Sequence, residues 1–245
     1  MQTVIFLHGF GENASVWANL TEALAFEAQC LTPDYSDLAL PTVEAYADWL
    51  RDWLDARQIG PVLLIGHSMG GYIALAFAER YPTRLTGLGL AHSTAYADSD
   101  ERKQKRLDSV KAIEEKGSAA FLKKFIPNLF AESFAGQHPE VLDTHFETVK
   151  NLPADALVAA MNAMRNRPDR RAVLQSAPFP VLFLIGLADR SVSPQDSLEQ
   201  VKLPAQTQEL VLENVGHSGM TEAPDAFLGA VRQFLLRGER IVDRG

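Results

Sequence analysis

Four apolar residues, Val62-Leu63-Leu64-Ile65, run straight into Gly66-His67-Ser68-Met69-Gly70-Gly71. A segment with good helix formers at its end, Tyr72 to Ala78, follows at once. An apolar run of that length is the pattern of a strand buried on both faces. The glycines on either side of Ser68 allow a turn too tight for side chains. Strand, sharp turn and helix with a serine at the turn describe a nucleophile elbow, the G-x-S-x-G arrangement. This stretch constrains the rest of the chain, because such a serine reacts only if a base, an orienting acid and an anion site come from elsewhere.

The flanking sequence alternates in the same way. Thr3 to Leu7 reads as a buried strand, His8-Gly9-Phe10-Gly11-Glu12-Asn13 as a break, and Asn13 as the cap of a helix from Ala14 to about Ala28. Gln29 to Leu31 is a short strand candidate, and Thr42 caps a second helix to about Gln58. Leu85 to Ala91 repeats the strand pattern after the elbow helix. Alternation of this kind predicts an α/β fold: a doubly wound, mainly parallel sheet of about six strands. From residue 98 to 176 the strand-like runs vanish and amphipathic segments follow one another. They predict a helical insertion over the carboxyl ends of the strands, with the core formed by 1–97 and 177–245. Val181 to Ile185 and Gln208 to Leu212 resume the strands, and Pro224 opens a last helix to about Leu236.

Bulk properties narrow the function classes. The 245 residues carry a net charge of −8, which disfavours a nucleic-acid surface. The basic run Arg102-Lys103-Gln104-Lys105-Arg106 lies beside Asp98, Asp100 and Glu101 and reads as a solvated helix face. Cys30 is the one cysteine, so no internal disulfide can form, and it reads as a small buried hydrophobe. No apolar span approaches the ~20 residues of a membrane helix, and no basic-then-apolar leader opens the chain. A cytoplasmic location without membrane attachment is the expectation. The six histidines show no metal-ligand spacing, so no metal and no cofactor is expected.

Ligands of doubly wound sheets gather at the carboxyl ends of the strands. Those ends carry His8, Ser68, His92, Asp189 and His217. Imidazole is a suitable base near neutral pH, and a carboxylate behind it fixes its tautomer. Ser68, Asp189 and His217 supply the three groups. His67 reads as a structural neighbour of the serine, His8 as a shaper of its own loop, and His92 as a residue that could enter the pocket.

The chain order Ser, Asp, His and the four motifs Gly66-His67-Ser68-Met69-Gly70, Gly186-Leu187-Ala188-Asp189, Gly216-His217 and His8-Gly9-Phe10 resemble the α/β-hydrolase superfamily along the whole chain. The likeness is to its small lidded serine hydrolases, carboxylesterases and lactonases. It implies an oxyanion hole made by the backbone N–H groups of Phe10 and Met69, a lid in the helical insertion, and an ester-like small-molecule substrate. The antiparallel hairpin that many members carry before the first strand is missing here. Pro33-Asp34-Tyr35-Ser36-Asp37 replaces their glycine-rich loop after the second strand and is expected to change a wall of the pocket. Phe125, Leu129, Val192 and His92 are the pocket candidates. The apolar insertion shows no obvious arginine pair for a dicarboxylate, which points to an uncharged acyl or alcohol group of modest size. The leading expectation is hydrolysis of a small carboxylic ester through an acyl-enzyme on Ser68. Lactone, thioester or carbon–carbon bond cleavage, or a lyase reaction by the same residues, is the alternative, and a non-catalytic binding module of the same fold is the other.

Overall fold

The computed structural model describes residues 1–242. Six strands form one sheet: β1 (Thr3–Leu7), β2 (Gln29–Leu31), β3 (Val62–His67), β4 (Leu85–Ala91), β5 (Val181–Gly186) and β6 (Thr207–Leu212). Their spatial order is β2-β1-β3-β4-β5-β6, and every neighbouring pair is parallel. The order reverses direction between β1 and β3, the place where open parallel sheets bind ligands.

Alternate residues of the inner strands feed two separate cores, as a two-residue side-chain period requires. Ile5, Leu7, Val62, Leu64, Val181 and Phe183 face one side. There they pack with α2 (Val43–Asp55) and α3 (Met69–Arg80). Val4, Phe6, Leu63, Ile65, Leu182 and Leu184 face the other. They meet Trp17, which ends a short 3-10 turn, with α1 (Ala18–Ala23) and α12 (Pro224–Val242). Both faces are therefore apolar, the condition under which a parallel sheet is stable.

Between β4 and β5 lie α4 (Asp100–Lys116), α5 (Ser118–Phe125), α6 (Glu132–Gln137), α7 (Pro139–Val149), α8 (Ala154–Asn166) and α9 (Arg171–Gln175). Two further short helices, α10 (Pro194–Gln200) and α11 (Gly219–Glu222), follow β5 and β6. The first helix is shorter than the sequence pattern suggests. Asn13 does cap it, but its side chain accepts from Ser15 N, two residues on, which starts a 3-10 turn. Cys30 is half-buried on edge strand β2 rather than fully enclosed. Among the described residues no helix is long and apolar enough to cross a membrane.

Candidate active site

Ser68 sits between β3 and α3 with φ 50° and ψ −113°, a conformation that side-chain-bearing residues rarely hold. The neighbouring glycines make it possible. A Cβ on Gly66 would run into the backbone of Gly70 and Gly71, and one on Gly70 would strike the carbonyls of Leu7 and His8. The result lifts the Ser68 hydroxyl clear of the sheet. It donates to His217 Nε2 at 2.8 Å. His217 Nδ1–H in turn donates to Asp189 Oδ2 at 2.7 Å. The structure thus brings together three residues 28 and 149 positions apart in sequence.

Asp189 is nearly enclosed. Its Oδ1 accepts from the backbone N–H of Ser191 at 2.7 Å and Val192 at 2.9 Å. Burial alone would raise its pKa, but His217 and then His92 outweigh that and hold the carboxyl well below the ordinary range. His217 is fixed through its main chain as well. Its N–H donates to the Leu129 carbonyl at 2.9 Å. Glu222 accepts from Gly216 N, Ser218 N and Ala131 N at 2.9, 3.1 and 3.0 Å, binding this loop to the helical segment.

A second histidine–carboxylate pair lies beneath the first. His67 and Glu12 are both about 1% exposed and 2.7 Å apart. His67 Nε2–H donates to the His217 carbonyl at 2.7 Å, and Gly9 N donates to Glu12 at 2.6 Å. Both ring nitrogens of His67 face acceptors, so the ring is an imidazolium. Burial opposes each charge, but the partner wins: Glu12 is held at about 2 and His67 is raised. One ion pair thereby joins the His8-Gly9-Phe10 loop, the elbow and the histidine loop. Sequence reasoning missed Glu12, since an acid beside Gly11 looks like an ordinary solvated loop residue.

The N–H groups of Phe10 and Met69 have no hydrogen-bond acceptor among the described residues. Met69 is the first residue of α3, where the unused N–H groups and the helix dipole favour negative charge. His8 stays out of the cavity, stacked on Tyr35 with ring centroids 3.9 Å apart. The Pro33–Asp37 loop therefore braces the Phe10 loop instead of forming a pocket wall. This corrects the sequence expectation: Tyr35 turns inward, and its hydroxyl donates to the His8 carbonyl.

A cavity of about 250 Å³ opens onto Ser68, His217 and Phe10. Phe125, Leu129 and Val192 line it, together with Met161 and Met164 from α8. His92 does not. It is buried behind Asp189, its Nδ1 3.7 Å from Asp189 Oδ2 and its Nε2 accepting from Gly219 N at 3.1 Å. Burial pushes its pKa down to about 4, against the pull of Asp189, so the ring is neutral. The basic run is also placed differently from expectation. Arg102, Lys105 and Arg106 line the cavity, with Arg190 from the loop after β5. Among the described residues no cluster of three or more His, Cys, Asp or Glu side chains could hold a metal ion.

The sequence profile of the Alpha/beta hydrolase family matches residues 4–230. The chain belongs to this family. A thermophilic esterase from Thermogutta terrifontis, solved with malate bound, superposes with a TM-score of 0.90 at 30% identity, covering 97% of this chain and 90% of that one. The enol-lactonase from Burkholderia xenovorans LB400 shares the fold, with a TM-score of 0.88 at 21% identity over 96% of this chain and 91% of that one. A 2-succinyl-6-hydroxy-2,4-cyclohexadiene-1-carboxylate synthase from Enterobacter sp. (strain 638) is 24% identical over 251 residues, 95% of this chain and 91% of the synthase. Within the family, this hydrolase-type chain pairs an elbow serine with a histidine and a buried aspartate.

Proposed function

We propose that this chain is a serine hydrolase that cleaves a small carboxylic ester through an acyl-enzyme on Ser68. The observation carrying the reading is the unbroken chain of hydrogen bonds from Ser68 Oγ through His217 to Asp189, at 2.8 and 2.7 Å. Those are the distances at which a base takes a proton in the attack step. The likeness to the Thermogutta terrifontis esterase supports the same reading.

In this mechanism Ser68 Oγ attacks the ester carbonyl carbon while its proton passes to His217 Nε2. The carbonyl oxygen becomes an anion held by the Phe10 and Met69 N–H groups, each donor contributing about 3 kcal/mol. His217, now an imidazolium stabilised by Asp189, gives the proton to the alkoxy oxygen as the C–O bond breaks. An alcohol leaves, and an ester to Ser68 remains. Water then attacks the acyl carbon and yields one proton to His217. Collapse returns that proton to Ser68 Oγ and releases the carboxylic acid. The helical segment between β4 and β5 acts as a lid in this reading, because Phe125, Leu129, Met161 and Met164 come from it.

The name of the synthase relative supports a second reading, in which the same three residues do chemistry other than hydrolysis, such as abstracting a proton from carbon, and form no acyl-enzyme. A serine-directed fluorophosphonate and a panel of p-nitrophenyl esters separate the cases. The expected result is a single adduct on Ser68, lost in Ser68→Ala, and ester turnover lost in the same variant. Folded wild-type protein without Ser68-dependent turnover of any ester, whether or not Ser68 is labelled, overturns the hydrolase reading.

A further inference from the structure

Helix α4 presents Arg102, Lys105, Arg106 and Ser109 to the cavity. The spacing i, i+3, i+4, i+7 is one helix face. On a helix covering a core this face is apolar; here it holds three cations, and Arg190 adds a fourth. No aspartate or glutamate among the described residues lines the cavity, although the chain as a whole carries −8. The acidic side chains of this region, Asp98, Glu101 and Asp189, stand behind the lining residues and not in the cavity wall.

The four cations are not equivalent. Lys105 lies on the surface with Glu101 at 2.7 Å, and an exposed pair of this kind contributes little. Arg106 engages buried Asp98 through Nε and Nη2. Its Nη1 is left with the thioethers of Met164 at 3.3 Å and Met161 at 4.0 Å, which are weak acceptors. Asp98 is shared with Arg167 at 2.8 Å, so two guanidiniums face one carboxylate. Arg167 stacks at 3.8 Å on Tyr72, a lining residue. Among the described residues the Arg102 side chain donates only to the Ser191 carbonyl. Arg190 reaches only the Pro127 and Phe130 carbonyls, at 3.5 and 3.3 Å. Neither forms a salt bridge among the described residues, although Arg102 lies close enough to exposed Glu101 to favour that carboxylate's charged form.

We infer that the substrate carries, besides its ester, an ionised carboxylate that Arg102 and Arg190 bind. The inference rests on the serine hydrolase reading and specifies its substrate class: a half-ester of a short dicarboxylic acid, or a small hydroxy acid acylated on its hydroxyl group with its carboxylate free. Guanidinium forks match the two oxygens of a carboxylate. Phe125, Leu129, Met161, Met164 and Val192 suit a short hydrocarbon spacer between the two groups. The cavity, about 250 Å³, is small for a ligand site, ~300–1,000 Å³ being usual.

Steady-state hydrolysis of monoethyl glutarate, followed by proton release, is compared with that of neutral ethyl pentanoate and of ethyl 4-phosphonobutanoate. The wild type is expected to favour monoethyl glutarate over ethyl pentanoate by about tenfold or more in kcat/KM. That ratio is expected to fall severalfold in Arg102→Gln and in Arg190→Gln separately. It also falls on raising sodium chloride from about 0.02 M to about 0.3 M. Arg190 is exposed, so its variant stays folded, and Arg102→Lys restores part of the ratio. In parallel, glutarate binding to Ser68→Ala is measured by calorimetry and is expected to be lost when Arg102→Gln is added. Ser68-dependent hydrolysis without preference for the anionic ester, or a ratio unchanged in both arginine variants, overturns the inference and leaves the hydrolase reading intact. Glutarate binding that depends on Arg102, with no Ser68-dependent hydrolysis of any ester, upholds the anion site and sinks the hydrolase reading. Preference for the phosphonate overturns the carboxylate assignment.

Discussion

Ser68 and the Glu12–His67 pair show how single residues hold this site with opposite effects on stability. Ser68 keeps φ at 50°, and strain of this kind costs about 1–3 kcal/mol. Ser68→Gly and Ser68→Ala both remove the hydroxyl, but only glycine relaxes the backbone. Both variants are expected to be inactive, with Ser68→Gly more stable than Ser68→Ala by about 1 kcal/mol, after glycine's larger entropy loss on folding is subtracted. Denaturant midpoints of the pair check this; equal midpoints would mean that the elbow is not strained. For Glu12 the sign differs. Glu12→Gln leaves His67 buried beside a neutral amide and is expected to destabilise the protein by about 3–5 kcal/mol, as breaking a buried ion pair does. The double variant with His67→Gln loses less than the sum of the single losses; strict additivity would show that the two do not act as a pair. Its pH window follows from the two shifts. Glu12 has a lowered pKa, so its contribution is present above the ordinary 4.5 and is lost as pH falls toward about 2. His67 has a raised one, so its contribution is complete below the ordinary 6.5 and is lost as pH rises past the raised value. The pair therefore stabilises most between about pH 4.5 and 6.5.

At the scale of elements, α4 decides which side chains face the cavity. Ser99 caps it, its Oγ accepting from Arg102 N at 3.3 Å, and Asp100 and Glu101 fill the acidic first turn, which the helix dipole favours. Ser99→Ala is expected to cost about 1 kcal/mol and to fray the turn that carries Arg102. Amide hydrogen exchange in that turn would speed up while exchange in α3 stays unchanged; unaltered exchange at the start of α4 would exclude Ser99 as its anchor. The limits of the bare sequence are visible in the same helix. Its extent, Asp100 to Lys116, was legible as one strand-free segment ending before Gly117, and the buried strands were legible because their apolar runs have few other uses. Ser68, Asp189 and His217 were legible because each follows a strand directly. The facing of Arg102 and Arg106 was not: a basic run flanked by acids has the pattern of a solvated surface. Its rotation is set by partners outside the helix, Asp98 for Arg106 and the sulfurs of α8. Helices α6 and α10 escaped notice because they are only 6 and 7 residues long, too short to show a period.

For the whole molecule, the depth of the site links catalysis to global stability. His92 lies at the end of β4, with φ 47°, enclosed between Asp189, His67 and His217. Its Nε2 accepts from Gly219 N, which leaves the proton on Nδ1, toward Asp189. That arrangement requires a neutral ring, and burial enforces it by lowering the pKa from 6.5 to about 4. The unfolded chain therefore binds a proton at His92 between these two values while the folded chain does not. Stability due to this group is complete above about pH 6.5 and is lost progressively as pH falls toward 4. The loss is on the order of 3 kcal/mol, a large share of the stability of a typical domain. In His92→Gln, the amide oxygen can accept from Gly219 N and no proton is taken up. Whatever its stability at neutral pH, its unfolding free energy is expected to fall less steeply than that of the wild type from pH 6.5 to 4. Urea unfolding at half-unit intervals measures the two slopes. Parallel curves would show that His92 takes up its proton in the folded protein as readily as in the unfolded chain.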